Sequence, residues 1–218
     1  MSNQPSQIVL IFDFDGTIAD TFHYILQLSE ALAEEFHFQK IRHDEVDRLK
    51  DFSLLEIIHH LKVPLFKIPL ILNRARQELH KDILRIAPIQ NLKKPLSQLK
   101  AAGIKMGILS SNSTQNIQKF LEIHHLNFFD FIYSSSKVWG KNHTLNHIVK
   151  RHGLSSQQVF YIGDETRDVE AAQKAGLGSA AVTWGYNSAK ALEAHKPDYL
   201  LHHPEDFTRI FTPQNTSS

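Results

Sequence analysis

Short, nearly continuous apolar runs recur through the second half of the chain, at 104–109, 131–133, 159–162, 179–182 and 198–201, with one more at 8–12. Such runs, rich in Ile, Val, Leu and Phe and lacking a polar face, predict strands buried on both sides. Between them the spacing turns helical over 114–123, 144–152, 168–175 and 188–194. Asn187-Ser188 is a plausible helix cap, and Gly153 and Gly176 stand where helices should stop. Alternating strand and helix predicts an α/β fold: a doubly wound, mostly parallel sheet with helices on both faces and right-handed crossovers.

Residues 22–87 follow another rule. Leu26, Leu28, Leu32 and Phe36, then Leu54, Ile57, Ile58 and Leu61, then Leu70, Ile71, Leu79 and Ile83 keep a helical period, with no convincing strand among them. Pro64 and Pro69 are expected to break this stretch between helices, and Pro88 to end it. The reading is a core domain of 1–21 and 88–218 carrying a small α-helical domain, 22–87, inserted after the first strand. The tail 212–218 is polar and expected to fray.

Composition narrows the class. The 218 residues are 42% hydrophobic and 22% charged, which allows a full core, and the net charge of +1 gives no reason to expect nucleic acid or a membrane surface as partner. There are no cysteines, so disulfides and thiolate metal sites are excluded. The first seven residues are polar, and no apolar run approaches the roughly 18 residues of a membrane span. These features suggest a soluble, cytoplasmic protein. Of fourteen histidines, six form adjacent pairs (His59-His60, His124-His125, His202-His203). Neighbours on a helix diverge too far to share a metal, so solvated helix faces account for them better.

In doubly wound sheets the ligand site lies beyond the carboxyl ends of the strands. The first run leads into Asp13-Phe-Asp15-Gly-Thr17, the next into Ser110-Ser111-Asn112, and 159–162 into Gly163-Asp164-Glu-Thr-Arg-Asp168, while Lys141 follows Trp139-Gly140. Singly these have plainer explanations as turns, caps or a solvated lysine. Together they would bring carboxylates, a lysine and small hydroxyls to one rim. Grouped carboxylates need a cation, and an oxygen-only donor set favours Mg²⁺. Metal, lysine, hydroxyls and backbone N–H groups are the parts that hold a phosphoryl group. Alternation puts Asp13 and Asp15 on one side of the extended chain and Phe14 on the other. One carboxylate can attack phosphorus while the other handles protons.

In order, Asp13-Phe-Asp-Gly-Thr17, Ser110, Lys141 and Gly163-Asp164-x-x-x-Asp168 resemble the four motifs of the haloacid-dehalogenase-like superfamily, and the resemblance covers nearly the whole chain. It implies a Rossmann-like core and identifies the helical insert with the family's cap. It implies that Asp13 is nucleophile and metal ligand, and that Asp15 is the acid/base, binding metal through its backbone carbonyl. Ser110 would bond the phosphoryl group, with Ser111 and Asn112 beside it. Lys141 would neutralise nucleophile and phosphate; Asp164 would bind Mg²⁺, with Asp168 supporting. The third motif departs from the common Lys-Pro, reading Lys141-Asn142-His143.

Within that superfamily, Asp15 argues against dehalogenation and phosphonate cleavage, whose members replace it. Mutase relatives commonly carry a His where this chain has Ile25. The resemblance therefore implies Mg²⁺-dependent hydrolysis of a small phosphorylated metabolite by a monomer or homodimer. Phosphoglycolate is the first candidate because the C-terminal half resembles that branch; a sugar phosphate or nucleoside monophosphate follows. A mutase, or a catalytically idle binding module, is the alternative. His23, Arg42, Arg74 and Arg76 are the polar insert residues available to a substrate, with Arg74 and Arg76 expected at the surface.

Overall fold

The computed structural model describes residues 8–135 and 140–212; the N-terminal 1–7 and the tail beyond Thr212, expected to be polar and frayed, lie outside them. Six strands form one sheet: β1 (Val9–Phe12), β2 (Lys105–Ser110), β3 (Phe131–Ser134), β4 (Val159–Gly163), β5 (Gly178–Val182) and β6 (Tyr199–Leu201). Every pairing is parallel and the order is β3-β2-β1-β4-β5-β6. The expected strands are all present, shifted at their ends by a residue or so.

Side-chain alternation along β1 explains why its run carries no polar residue. Leu10 and Phe12 enter one core with Met106, Ile108 and Ile162, closed by α5 (Lys93–Ala101), α6 (Thr114–Ile123) and α10 (Asp206–Phe211). Val9 and Ile11 enter the other with Leu109, Val159 and Tyr161, closed by α7 (Lys141–Arg151) and α8 (Thr166–Ala175). A central strand has no solvent face to decorate. A sixth helix on these layers, α9 (Ala189–Ala194), starts at the Ser188 cap, whose hydroxyl accepts from Ala191 N–H.

The sheet order reverses direction at β1, so a crevice opens between the carboxyl ends of β1 and β4. Chain enters and leaves the helical insert through one narrow gate, where Ala19 and Pro88 form an antiparallel bridge and Asp20 N–H donates to Ala87 C=O. Between these crossings stand α1 (Phe22–Phe36), α2 (Val46–Leu49), α3 (Leu54–His60) and α4 (Ile68–Asp82). Pro64 precedes a 3₁₀ turn, as a breaker should, but Pro69 sits in the first turn of α4, where its missing N–H is no loss. No helix among the described residues is long and apolar enough to cross a membrane.

Candidate active site

Asp13 directly follows β1 and its N–H donates to Ile162 C=O of β4 (2.7 Å), which ties it to the crevice. Phe14 turns into the core, edge-on to Phe120, so Asp13 and Asp15 both face the cavity above the sheet. Gly16 makes this exit feasible: its φ is +76°, and a Cβ there would lie 2.2 Å from Asp164 Oδ2.

Lys141, the first residue of α7, is 3% exposed and donates to Asp13 Oδ2 (2.7 Å) and Asp168 Oδ1 (2.8 Å). Burial works against its charge, yet the two carboxylates outweigh burial and hold it more firmly protonated than a free lysine. Asp168 also accepts from Glu165 N–H, capping α8. Asp164, fully buried after β4, accepts from Thr17 Oγ1 (2.7 Å) and Tyr186 N–H (2.8 Å). Gly185 permits this approach, since a Cβ there would lie 2.1 Å from Asp164 Oδ2.

These carboxylates are under electrostatic stress. Burial, opposed by Lys141, pushes Asp13 up to about 6. Burial and the neighbouring Asp13 push Asp15 up to about 7. Asp164 is driven well above the usual range by burial and by Glu165, Asp168 and Asp13. Oxygens of Asp13, Asp164 and Asp168 lie within 4.8 Å of one another. A buried, oxygen-only trio whose charge one lysine does not balance fits a hard dication such as Mg²⁺. The Asp15 side chain stands apart from that trio.

The β2 exit separates the two serines. Ser110 is fully buried, and its Oγ accepts from Asn112 N–H (3.0 Å) instead of facing the cavity. Ser111 lines the cavity with Asp13, Asp15 and Asn112. The pleat decides this: a strand that buries Ser110 on one side shows its successor to the other. Asn112 donates through Nδ2 to both Asp15 oxygens at 3.5 Å, while its Oδ1 accepts from Ser113 N–H and Asn116 Nδ2.

Among the insert candidates, Arg42 is exposed and paired with Asp44, and Arg74 bridges Glu35 and Glu78. His23 is exposed against Phe22. Arg76, expected at the surface with Arg74, instead lines the cavity. Sequence reasoning missed Thr17, Tyr186 and Asn187. Thr17 was within reach as part of the first motif; the other two come from a loop whose apolar pattern carries no periodicity.

The cavity extends from the carboxylates into the helical insert, with a volume of about 340 Å³ and walls that include Leu26, Leu32, Ile57 and Ile71. The chamber opens to solvent and is roomy enough for a small organic group.

The family model described as haloacid dehalogenase-like hydrolase matches residues 10–182. A phosphoglycolate phosphatase of Synechococcus elongatus is 34% identical over 204 residues, covering 93% of this chain and 96% of its own. A pyrophosphatase PpaX of Bacillus cereus is 26% identical, covering 95% and 98%. Among solved structures, a haloacid dehalogenase-like family hydrolase from Streptococcus pneumoniae superposes with a TM-score of 0.77 over 95% of this chain and all of that one, at 24% identity.

Proposed function

This chain belongs to the haloacid dehalogenase-like hydrolase family, and we propose that it is a Mg²⁺-dependent phosphatase that cleaves a small phosphate monoester through an aspartyl-phosphate intermediate. Residues 22–87 serve as the cap over a core of 1–21 and 88–218. The observation that carries the reading is the division of the two acids at the β1 exit. Asp13 is held by Lys141, while Asp15 is held by an amide and faces the chamber.

Asp13 attacks phosphorus, and the P–O bond to the alcohol breaks. Asp15 gives its proton to the departing oxygen, then takes one from the water that hydrolyses the acyl phosphate. A carboxylate poised at about 7 suits both directions of transfer near neutral pH. Lys141 offsets the charge that Asp13 and the phosphoryl group bring together, and the Ser111 hydroxyl with Asn112 binds phosphoryl oxygens; Ser110 holds the loop in shape. Asp13, Asp164 and the Asp15 carbonyl, supported by Asp168, would hold Mg²⁺, which supplies charge neutralisation to the phosphoryl oxygens.

Phosphoglycolate is the first ester to assay, because the Synechococcus relative bears that name. The deciding experiment is phosphate release across a panel of monoesters, with Mg²⁺ and with chelator, for the native chain and Asp13→Asn. Mg²⁺-dependent release that Asp13→Asn abolishes supports the reading; undiminished activity in that variant overturns it.

A further inference from the structure

A helical bundle usually fills its interior to crystal-like density. The insert does not. Of its buried apolar residues Leu79, Ile83 and Ile86 join a packed core, while buried Leu32, Ile58 and Leu61 and half-buried Leu26, Ile57 and Ile71 line the chamber. Among the described residues no separate core cluster forms within 22–78. The hollow is continuous with Asp13, Asp15 and Ser111. A group attached to a phosphoryl held by those residues would therefore extend into the hollow.

Of the three cations that line the chamber, two hold partners of their own and Lys50 lies against a ring. Lys50 Nζ sits 4.2 Å over the Phe22 ring, Arg167 pairs with Glu165, and Arg76 is partnered too. A carboxylate pressed against Leu and Ile walls would lose its water without a dedicated counter-charge. An alkyl or aryl group of equal size would gain from the same burial.

Resting on the phosphatase reading, we propose that the alcohol released here is apolar, lodged in the insert's chamber, so that the preferred substrate is a lipophilic phosphate monoester and not a phosphorylated hydroxy acid. The P–O bond to that alcohol breaks, the alcohol leaves with the Asp15 proton, and water supplies the oxygen of the released phosphate.

The test is kcat/KM of the full chain with Mg²⁺ for methyl, butyl and hexyl phosphate, beside phosphoglycolate. The expected result is a rise of about fourfold per methylene until the chamber fills, with hexyl phosphate preferred to phosphoglycolate. Ile71→Trp, which fills the chamber, should collapse the hexyl-to-methyl ratio; if that variant does not fold, the native series alone decides. A flat series, or preference for phosphoglycolate, overturns the apolar assignment and leaves a phosphatase standing. Release from none of the esters overturns both.

Discussion

Lys141 Nζ lies 2.7 Å from Asp13 Oδ2, both groups almost wholly out of solvent. Removing one partner of a buried pair costs about 3–5 kcal/mol, because the other charge stays buried and unpaired. Lys141→Met should therefore lower the urea-unfolding free energy of the metal-free protein by that amount. Phosphate release should fall by about a hundredfold or more. Lys141→Arg should not restore it, since a planar fork cannot replace a point charge at this spacing. A Met variant as stable and active as the native protein would contradict the role given to the pair.

Metal and pH should act on stability together. Burial raises Asp13 to about 6 and Asp15 to about 7 from the usual 3.8, with Asp164 also raised. For acids raised by folding, their contribution is fully present below the unfolded value and lost as pH climbs through the folded ones. The chelated protein should thus lose stability from these groups between about pH 4 and 7. A dication relieves that loss where the carboxylates are ionised, so the Mg²⁺-induced rise in Tm should be larger at pH 8 than at pH 5. About 1 kcal/mol corresponds to roughly 2–4 °C in a chain of this size. Differential scanning fluorimetry with Mg²⁺ and with EDTA checks this, and equal shifts at both pH values would sink it.

The sheet and the meeting of Asp13, Asp164 and Asp168 were legible because each rests on a short-range rule. An all-apolar run such as 8–12 can only be a central strand, and polar residues at its carboxyl end have one crevice to enter. Helices α5 and α10 escaped prediction: α5 carries Pro95 in its first turn, and α10 has only six residues, too few for a period to stand out. Ser110 is preferred to Ser111 because it follows the apolar run directly; the structure makes it the last residue of β2, buried, with its hydroxyl accepting from Asn112 N–H. The chamber was illegible for a different reason. The period of α1, α3 and α4 says which face turns inward, and nothing about whether those faces meet.

Asn116 should matter to catalysis without touching substrate. Its Nδ2 donates to Asn112 Oδ1 (2.9 Å), which leaves the Asn112 amide nitrogen to face Asp15. Asn116→Leu removes that constraint and frees Asp15 to misalign. Because the proton from Asp15 matters most when an alkoxide departs, kcat/KM for an alkyl phosphate, which reports the steps through that departure, should fall about tenfold or more. For p-nitrophenyl phosphate, whose leaving group departs unaided, the change in kcat/KM should stay within about twofold, even though hydrolysis of the acyl phosphate slows for both. Equal losses on both esters would indicate general damage to the fold instead of a misplaced acid.

Asn187 fastens the insert to the loop after β4. Its Nδ2 donates to the Lys50 and Phe52 carbonyls, each at 2.9 Å, and its Oδ1 accepts from Thr166 N–H, two residues past Asp164. Ser188 and Lys190 add contacts to Asp51 on the same side, but at the exposed surface. Without Asn187 the Lys50 carbonyl keeps Ser188 N–H, but the Phe52 carbonyl and Thr166 N–H lose this partner, and an unpaired buried backbone group costs about 1–3 kcal/mol, whereas an exposed ion pair contributes about 0–1. Asn187→Ala should accordingly speed amide exchange across 50–54 by about tenfold or more while leaving β1 and β4 protected. Lys190→Ala should change exchange there by less than about threefold. The asymmetry is the point of the comparison: if both variants loosened 50–54 equally, the hold on the insert would be the surface charges, and the buried amide would be a bystander.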